Sequence, residues 1–90
     1  MNLLFIADPL QSFKIYKDTT FAMMREAQRR GHTLAVCEPQ HIKWQRGSQV
    51  TARVLDIRLT GDAVQWYEAQ PERIAALADF DAVLMRKDPP

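Results

Sequence analysis

The sequence predicts a single α/β domain built on a mostly parallel sheet with a β-hairpin insert. Ninety residues are enough for one domain and no more. Three apolar runs, at 2–7, 32–39 and 81–87, have the length of strands, and their apolar residues are continuous, as in strands covered on both faces. Residues 18–31, between the first two runs, show helical spacing, so the first part of the chain is predicted to form a β-α-β unit.

The predicted helix begins at Asp18 or Thr19, either of which can cap it, and ends at Gly31. Phe21, Met24 and Ala27 fall on one of its faces. This is the apolar stripe of a helix that packs against a sheet.

A β-hairpin is predicted over residues 41–59, with its turn at 46–48. Apolar side chains occupy the even positions of 50–54 but the odd positions of 55–59. The second strand of the hairpin is therefore expected to change face near 54–55, at a bulge.

The last third of the chain is predicted to be helical before its final strand. Residues 61–70 show a weak helical pattern, and a short helix is predicted over 71–80 with Pro71 in its first turn. Its buried stripe would consist of Ile74, Leu77 and Ala78.

Composition excludes several classes of protein. The chain has 12 basic and 11 acidic residues, a balance that argues against nucleic-acid binding. No apolar stretch approaches the roughly 20 residues of a membrane span, and the apolar start lacks the basic region of a signal peptide. The single cysteine, Cys37, cannot form an internal disulfide and is interpreted as a small buried hydrophobe. We therefore expect a cytoplasmic protein that contacts neither nucleic acid nor membrane.

The usual signatures of catalysis and nucleotide binding are missing from the sequence. Its three glycines cannot form a phosphate-binding loop after the first strand, although the order of elements is Rossmann-like. His32, His41 and Cys37 do not have the spacing of metal ligands. The sequence thus predicts no catalytic residue and no metal site within these 90 residues.

Two features could still bind a ligand at the carboxyl ends of the strands, where open α/β sheets place their sites. The start of the helix at Asp18 suits an anion, and Arg86 at the end of the last strand can hold a carboxylate through two hydrogen bonds. Together they suggest a small molecule that carries carboxylates. The alternative interpretation of Arg86 is a solvated residue at a strand end.

Four stretches resemble the N-terminal domain of the bacterial glutathione synthetases, which are ATP-grasp ligases. They are DP at 8–9, KDTTFAMMREAQRRGH at 17–32, VTARVLDIRL at 50–59 and LADFDAVLMRKDPP at 77–90. The combination of EAQRRG with MRKDPP is specific. The match runs in register along the whole chain and is poor only between 60 and 76.

This resemblance implies a Rossmann-like pre-ATP-grasp domain. The family's enzyme joins γ-glutamylcysteine to glycine, and ATP is hydrolysed to ADP and phosphate through an acyl-phosphate. ATP and magnesium are held by two further domains, so no cofactor is expected in residues 1–90, and these residues alone are expected to be inactive. The domain contributes to the dipeptide site and to the subunit contacts of a homo-oligomer, and residues 86–90 would lead into the next domain.

By the same resemblance, Arg86 corresponds to an arginine that faces the substrate. Lys17, Asp18 and Thr19 correspond to the stretch beside the same cleft. A stand-alone ligand-binding or protein-interaction module is the alternative. A receiver domain fits poorly, because Asp8 stands alone after the first strand and Lys87 has no acidic cluster to meet.

Overall fold

The computed structural model describes residues 1–44, 47 and 49–87. It is an α/β fold with seven strands, one α-helix and three 3-10 turns in the described part of the chain. The hairpin turn predicted at 46–48 lies mostly outside the described residues. The strands are β1 (Asn2–Ile6), β2 (Thr33–Cys37), β3 (Ile42–Lys43), β4 (Thr51–Leu59), β5 (Tyr67–Ala69), β6 (Arg73–Ala76) and β7 (Ala82–Met85); the helix is α1 (Thr19–Arg29), and the 3-10 turns are Leu10–Ser12, Pro39–His41 and Leu77–Asp79.

The β-α-β unit at the start of the chain is confirmed. Strands β1 and β2 are parallel neighbours, with Leu4 opposite Ala35, and α1 connects them. Strand β7 lies on the other side of β1 and is also parallel to it. Parallel neighbours need a long connection between them. Residues 7–32, which include α1, connect β1 to β2, and residues 7–81 separate β1 from β7.

The sheet is mixed, so the prediction of a mostly parallel sheet was wrong in this respect. Its strand order is β3-β4-β2-β1-β7, and β5 and β6 also pair with β4. All four pairings of β4, with β2, β3, β5 and β6, are antiparallel. The connections from β3 to β4 and from β4 to β5 are short, and short connections produce antiparallel pairs. The hairpin is therefore part of the sheet, not an insert beside it.

The helices predicted at 61–70 and 71–80 were wrong. The first region contains β5, and the second contains β6 followed by the 3-10 turn at Leu77–Asp79. Within the predicted stripe, Ile74 is exposed while the neighbouring Ala75 is buried, an arrangement set by strand pairing. Strand β6 pairs with residues 51–54 of β4, so the backbone groups of β4 determine the local structure more strongly than helix propensity does.

Both faces of the central strands are covered, which explains their continuous apolarity. The helix α1 covers one face, where Phe5 and Val36 pack with Met24. The opposite face carries Leu4 and packs against β4 and β6. The second cluster consists of Leu4, Ile6, Ala35, Cys37, Ala52, Val54 and Ala75.

Strand β4 contributes to both clusters, which confirms its predicted change of face. Val54 is buried in the cluster away from the helix, whereas Ile57 is buried on the helix side. The pairings of β4 with β2 and β6 are regular, so the bulge predicted within β4 itself was wrong, and the extra residue lies on the side of its partners β5 and β6. Val54 pairs with Arg73 and Ile57 pairs with Ala69, so three steps along β4 match four steps along its partner.

Candidate functional site

A cleft lies beyond the carboxyl ends of β1 and β7, beside the first turn of α1. Ile6 and Met85 are paired across these two strands, so the residues that follow them emerge together at one edge of the sheet. The cleft has a volume of about 260 Å³. It is lined by Asp8, Phe13, Lys17, Asp18, Thr19, Thr20 and Arg86. The lining thus includes all four predicted site residues: Lys17, Asp18, Thr19 and Arg86.

Arg86 joins the end of the sheet to the helix. Its backbone N–H donates to the Ile6 carbonyl at 2.7 Å, which continues the β1–β7 ladder by one residue. Its side-chain Nε donates to the hydroxyl of Thr20 at 3.4 Å. Because Thr20 is neutral, this contact holds the guanidinium without cancelling its positive charge.

Thr20 also lines the cleft, although it is not among the site residues predicted from the sequence. It is only 6% exposed and is the one buried polar residue of the described chain. A signal for its burial does exist, because Thr20, Met24 and Ala27 share the i, i+4, i+7 spacing of one helical face. A threonine on the same helical face as the apolar residues is therefore expected to be buried, and its hydroxyl needs a hydrogen-bond partner.

The side chain of Asp18 caps the N-terminus of α1. Its Oδ1 accepts hydrogen bonds from the backbone N–H groups of Thr20 at 2.8 Å and Phe21 at 3.2 Å. A carboxylate at this position satisfies free N–H groups and the positive end of the helix dipole. Two of the N–H groups that could attract an external anion are thus already used. An anion in the cleft would therefore have to be bound by side-chain cations.

Lys17 is the second cation of the cleft and precedes the helix cap. Its backbone N–H donates to the Lys14 carbonyl at 3.0 Å, which closes a turn. Its ammonium lies 5.8 Å from the centroid of the exposed Tyr16 ring. Lys17 is therefore placed at the rim of the cleft, where an ammonium can reach a ligand while it stays hydrated.

An aromatic cluster holds the loop that leads to Lys17. Phe13, which lines the cleft, stacks on Trp66 with ring centroids 5.5 Å apart. Phe21 of α1 meets the same indole edge-on at 5.3 Å. Trp66 is 8% exposed and lies just before β5, in the region predicted to be helical. This cluster fixes the loop against the helix, and no local pattern indicated it.

Asp8 and Lys87 form an ion pair at the same edge, with 2.6 Å between Oδ1 and Nζ. The partner of Lys87 is this single carboxylate, which is not the acidic cluster that a receiver domain would require. Asp8 follows β1 and Lys87 follows β7, so parallel pairing of the two strands brings them together. The carboxylate of Asp8 and the ammonium of Lys87 neutralise each other. The cations that line the cleft are Arg86 and Lys17.

A second cleft on the other side of Asp8 is narrower, about 80 Å³. Its one lining arginine, Arg53, pairs with Glu72 at 3.5 Å. Cys37 also lines it, and burial together with the charge of Glu38 raises the pKa of the thiol to about 11. A thiol with this pKa is protonated at neutral pH and is a poor nucleophile.

A larger groove of about 640 Å³ lies at the opposite end of the sheet. It is lined by Asn2 and Thr33, at the starts of β1 and β2, and by the ion pair of Arg73 with Asp56 at 2.6 Å. That pair already satisfies the arginine through two hydrogen bonds. The arginines that line these two spaces are held in ion pairs, whereas Arg86 forms none within the described part of the chain, so the cleft at Arg86 is the best candidate for an anionic ligand.

Within the described part of the chain, no three histidine, cysteine, aspartate or glutamate side chains are grouped as metal ligands. His41 lines the narrow cleft and His32 the distant groove. No α-helix of the described residues combines the length and apolarity that a membrane span requires.

Comparison with known proteins identifies similar sequences along the whole chain. The family model described as prokaryotic glutathione synthetase, N-terminal domain, matches residues 1–90. The glutathione synthetase of Ralstonia nicotianae is 50% identical over 90 residues, which are 100% of this chain and 28% of that protein. The glutathione synthetase of Neisseria meningitidis serogroup B is 44% identical over 94 residues, covering 100% of this chain and 29% of its own length. The chain thus spans a little more than a quarter of the length of these relatives.

Proposed function

Because the chain belongs to the family of the prokaryotic glutathione synthetase N-terminal domain, we propose that it supplies part of the dipeptide site of a glutathione synthetase. The whole protein would join γ-glutamylcysteine to glycine, with ATP hydrolysed to ADP and phosphate through an acyl-phosphate. The observation that supports this role is the guanidinium of Arg86, which forms no ion pair among the described residues and lies in a cleft that also contains Lys17, Asp18 and Thr19.

The charges of the cleft complement those of the dipeptide. γ-Glutamylcysteine carries carboxylates and one ammonium group. Arg86 and Lys17 would bind a carboxylate, and Arg86 can do so through two parallel hydrogen bonds. Both cap bonds of Asp18 go to Oδ1, so its Oδ2 would accept from the ligand's ammonium. The hydroxyl of Thr19 would add a neutral contact at the start of the helix.

We propose that ATP and magnesium are not bound by the described residues. The loop between β1 and α1 contains no glycine, and the three glycines of the chain lie elsewhere. The described part also lacks a group of metal ligands. In the whole protein, ATP and magnesium would be bound outside these residues, where ATP supplies the phosphoryl group that activates a carboxylate. The role of this chain is to bind and orient the dipeptide.

The whole protein is expected to be a cytoplasmic homo-oligomer. Exposed apolar side chains on β7, with Val83 at 41% and Met85 at 62% exposure, support an apolar contact on this face of the sheet.

The test begins with the intact mass of the native polypeptide that contains residues 1–90, followed by an assay of glutathione formation. We expect a mass several times 10.4 kDa and ATP-dependent ligation of γ-glutamylcysteine with glycine. The 90 residues alone should bring about no ligation. A native polypeptide of 10.4 kDa, or a longer one without ligase activity, would contradict the proposal and favour a stand-alone binding module.

A further inference from the structure

The buried hydroxyl of Thr20 is the group that holds the side chain of Arg86. We propose that Thr20 is a positioning residue, which sets the direction in which Arg86 presents its guanidinium to the carboxylate of the dipeptide. This inference rests on the proposed function and deepens it.

Two anchors define the orientation of Arg86. The backbone N–H is fixed to Ile6 at 2.7 Å, and Nε–H donates to Thr20 at 3.4 Å. A guanidinium has one N–H at Nε and four on its two terminal nitrogens. Since Nε faces the helix, the terminal nitrogens remain as the fork for a ligand. The geometry therefore selects an end-on pairing of the carboxylate with the two terminal nitrogens.

Thr20 is suited to this task because its side chain is rigid. It is 6% exposed and lies on the same helical face as Met24, which is fully buried. A β-branched side chain in a helix has few accessible rotamers, and packing restricts them further. The helix cap does not need its hydroxyl, because Asp18 accepts the first-turn N–H groups. The hydroxyl oxygen is thus a fixed acceptor in a wall of the cleft.

The role is tested by kinetics on the native polypeptide. Thr20→Val keeps the shape of the side chain and removes the acceptor, and Thr20→Ser keeps the acceptor. We expect Thr20→Val to raise the KM for γ-glutamylcysteine by about 3- to 10-fold, the range for one lost hydrogen bond, with kcat and the KM for ATP little changed. Thr20→Ser should restore most of the affinity. The matched control is Thr33→Val, which removes an exposed hydroxyl bonded to Asn2 at the opposite end of the sheet.

A double-mutant cycle separates positioning from direct contact. If Thr20 acts through Arg86, Thr20→Val should have no further effect on KM in an Arg86→Ala background. An equal effect in both backgrounds would overturn the proposal. An active wild type whose KM is unchanged by Thr20→Val would overturn it as well, and the proposed function would stand. A wild type without ligase activity would remove the proposed function and this role together.

A measurement on the wild type does not depend on the stability of any variant. We expect the Nε–H proton of Arg86 to give a separate nitrogen-15-edited NMR signal that exchanges slowly with water. Arg25, on the exposed side of α1, provides the comparison. An Arg86 signal that exchanges as fast as that of Arg25 would show that the Thr20 contact is not maintained in solution, and the proposal would fail.

Discussion

The side-chain amide of Gln28 forms two hydrogen bonds with the backbone of Leu59. Its Nε2 donates to the Leu59 carbonyl at 3.0 Å, and the Leu59 N–H donates to its Oε1 at 2.7 Å. The amide therefore pairs with β4 as a neighbouring strand would. It fastens the last turns of α1 to the sheet, while Asp18 and Thr20 order the first turn at the cleft.

We predict that Gln28→Leu lowers the free energy of unfolding by about 1–3 kcal/mol, because it leaves both backbone groups of Leu59 without their partner. Urea unfolding followed by circular dichroism measures this change. Gln70→Leu is the control, since Gln70 is exposed and should shift stability by less than about 0.5 kcal/mol. Equal effects of the two variants would mean that the Gln28 bonds contribute little.

Two substitutions at Asp18 distinguish its role in capping α1 from a role in substrate binding. Asp18→Ala is expected to cost about 1 kcal/mol, whereas Asp18→Asn should keep most of the cap. If Asp18 also binds the ammonium of the dipeptide, Asp18→Asn should raise the KM for γ-glutamylcysteine while the urea midpoint stays near that of the wild type. An unchanged KM in Asp18→Asn would mean that Asp18 caps the helix and does not bind the dipeptide.

Arg86→Ala should raise the KM for γ-glutamylcysteine with little change in the KM for ATP. The loss of a charge-assisted bidentate pair costs about 1.5–3 kcal/mol, or about 10- to 150-fold in affinity. Arg86→Lys should restore this only in part, because lysine has neither the planar fork nor the Nε–H that Thr20 accepts. Arg30→Ala is the matched control, since Arg30 pairs with Glu26 at the far end of α1. Kinetics equal to those of the control would remove Arg86 from the site.

The predictable parts of this fold are those encoded by neighbouring residues. The cap at Asp18, the apolar stripe of α1 and the continuous apolarity of β1 and β2 are local signals, and the structure confirms them. Strand β6 was not predictable in this way, because its pairing with β4 overrides a sequence that resembles a helix.

The candidate cleft was only partly predictable. Parallel strands end at one edge of a sheet, and this rule brought Arg86 together with the start of α1. The contacts inside the cleft could not be predicted from the sequence. Thr20 and Arg86 are 66 positions apart, and local patterns carry no information on such pairs. The same holds for the stacking of Phe13 on Trp66, which joins a loop to a region predicted as helix.

Cys37 should make the stability of the fold depend on alkaline pH. Burial and the charge of Glu38 raise the pKa of its thiol from 9.0 to about 11. Between these values the unfolded chain releases the thiol proton and the folded chain retains it, so stability falls as the pH rises. Below about pH 9 both states hold the proton, and this contribution is constant. Unfolding free energies measured by urea near pH 8 and pH 10.5 should therefore differ more for the wild type than for Cys37→Ala.

The comparison with Cys37→Ala isolates the thiol, because every other side chain is the same in both proteins. The thiol of the folded wild type should also react slowly with iodoacetamide near pH 8 and much faster in urea, since the thiolate is the reactive form and Cys37 is only 5% exposed. The same pH dependence in both proteins, or equally fast alkylation with and without urea, would show that the folded chain does not protect Cys37. Protection of the thiol would confirm that the face of the sheet away from α1 is closed by β4 and β6, as the burial of Val54 and Ala75 against it implies.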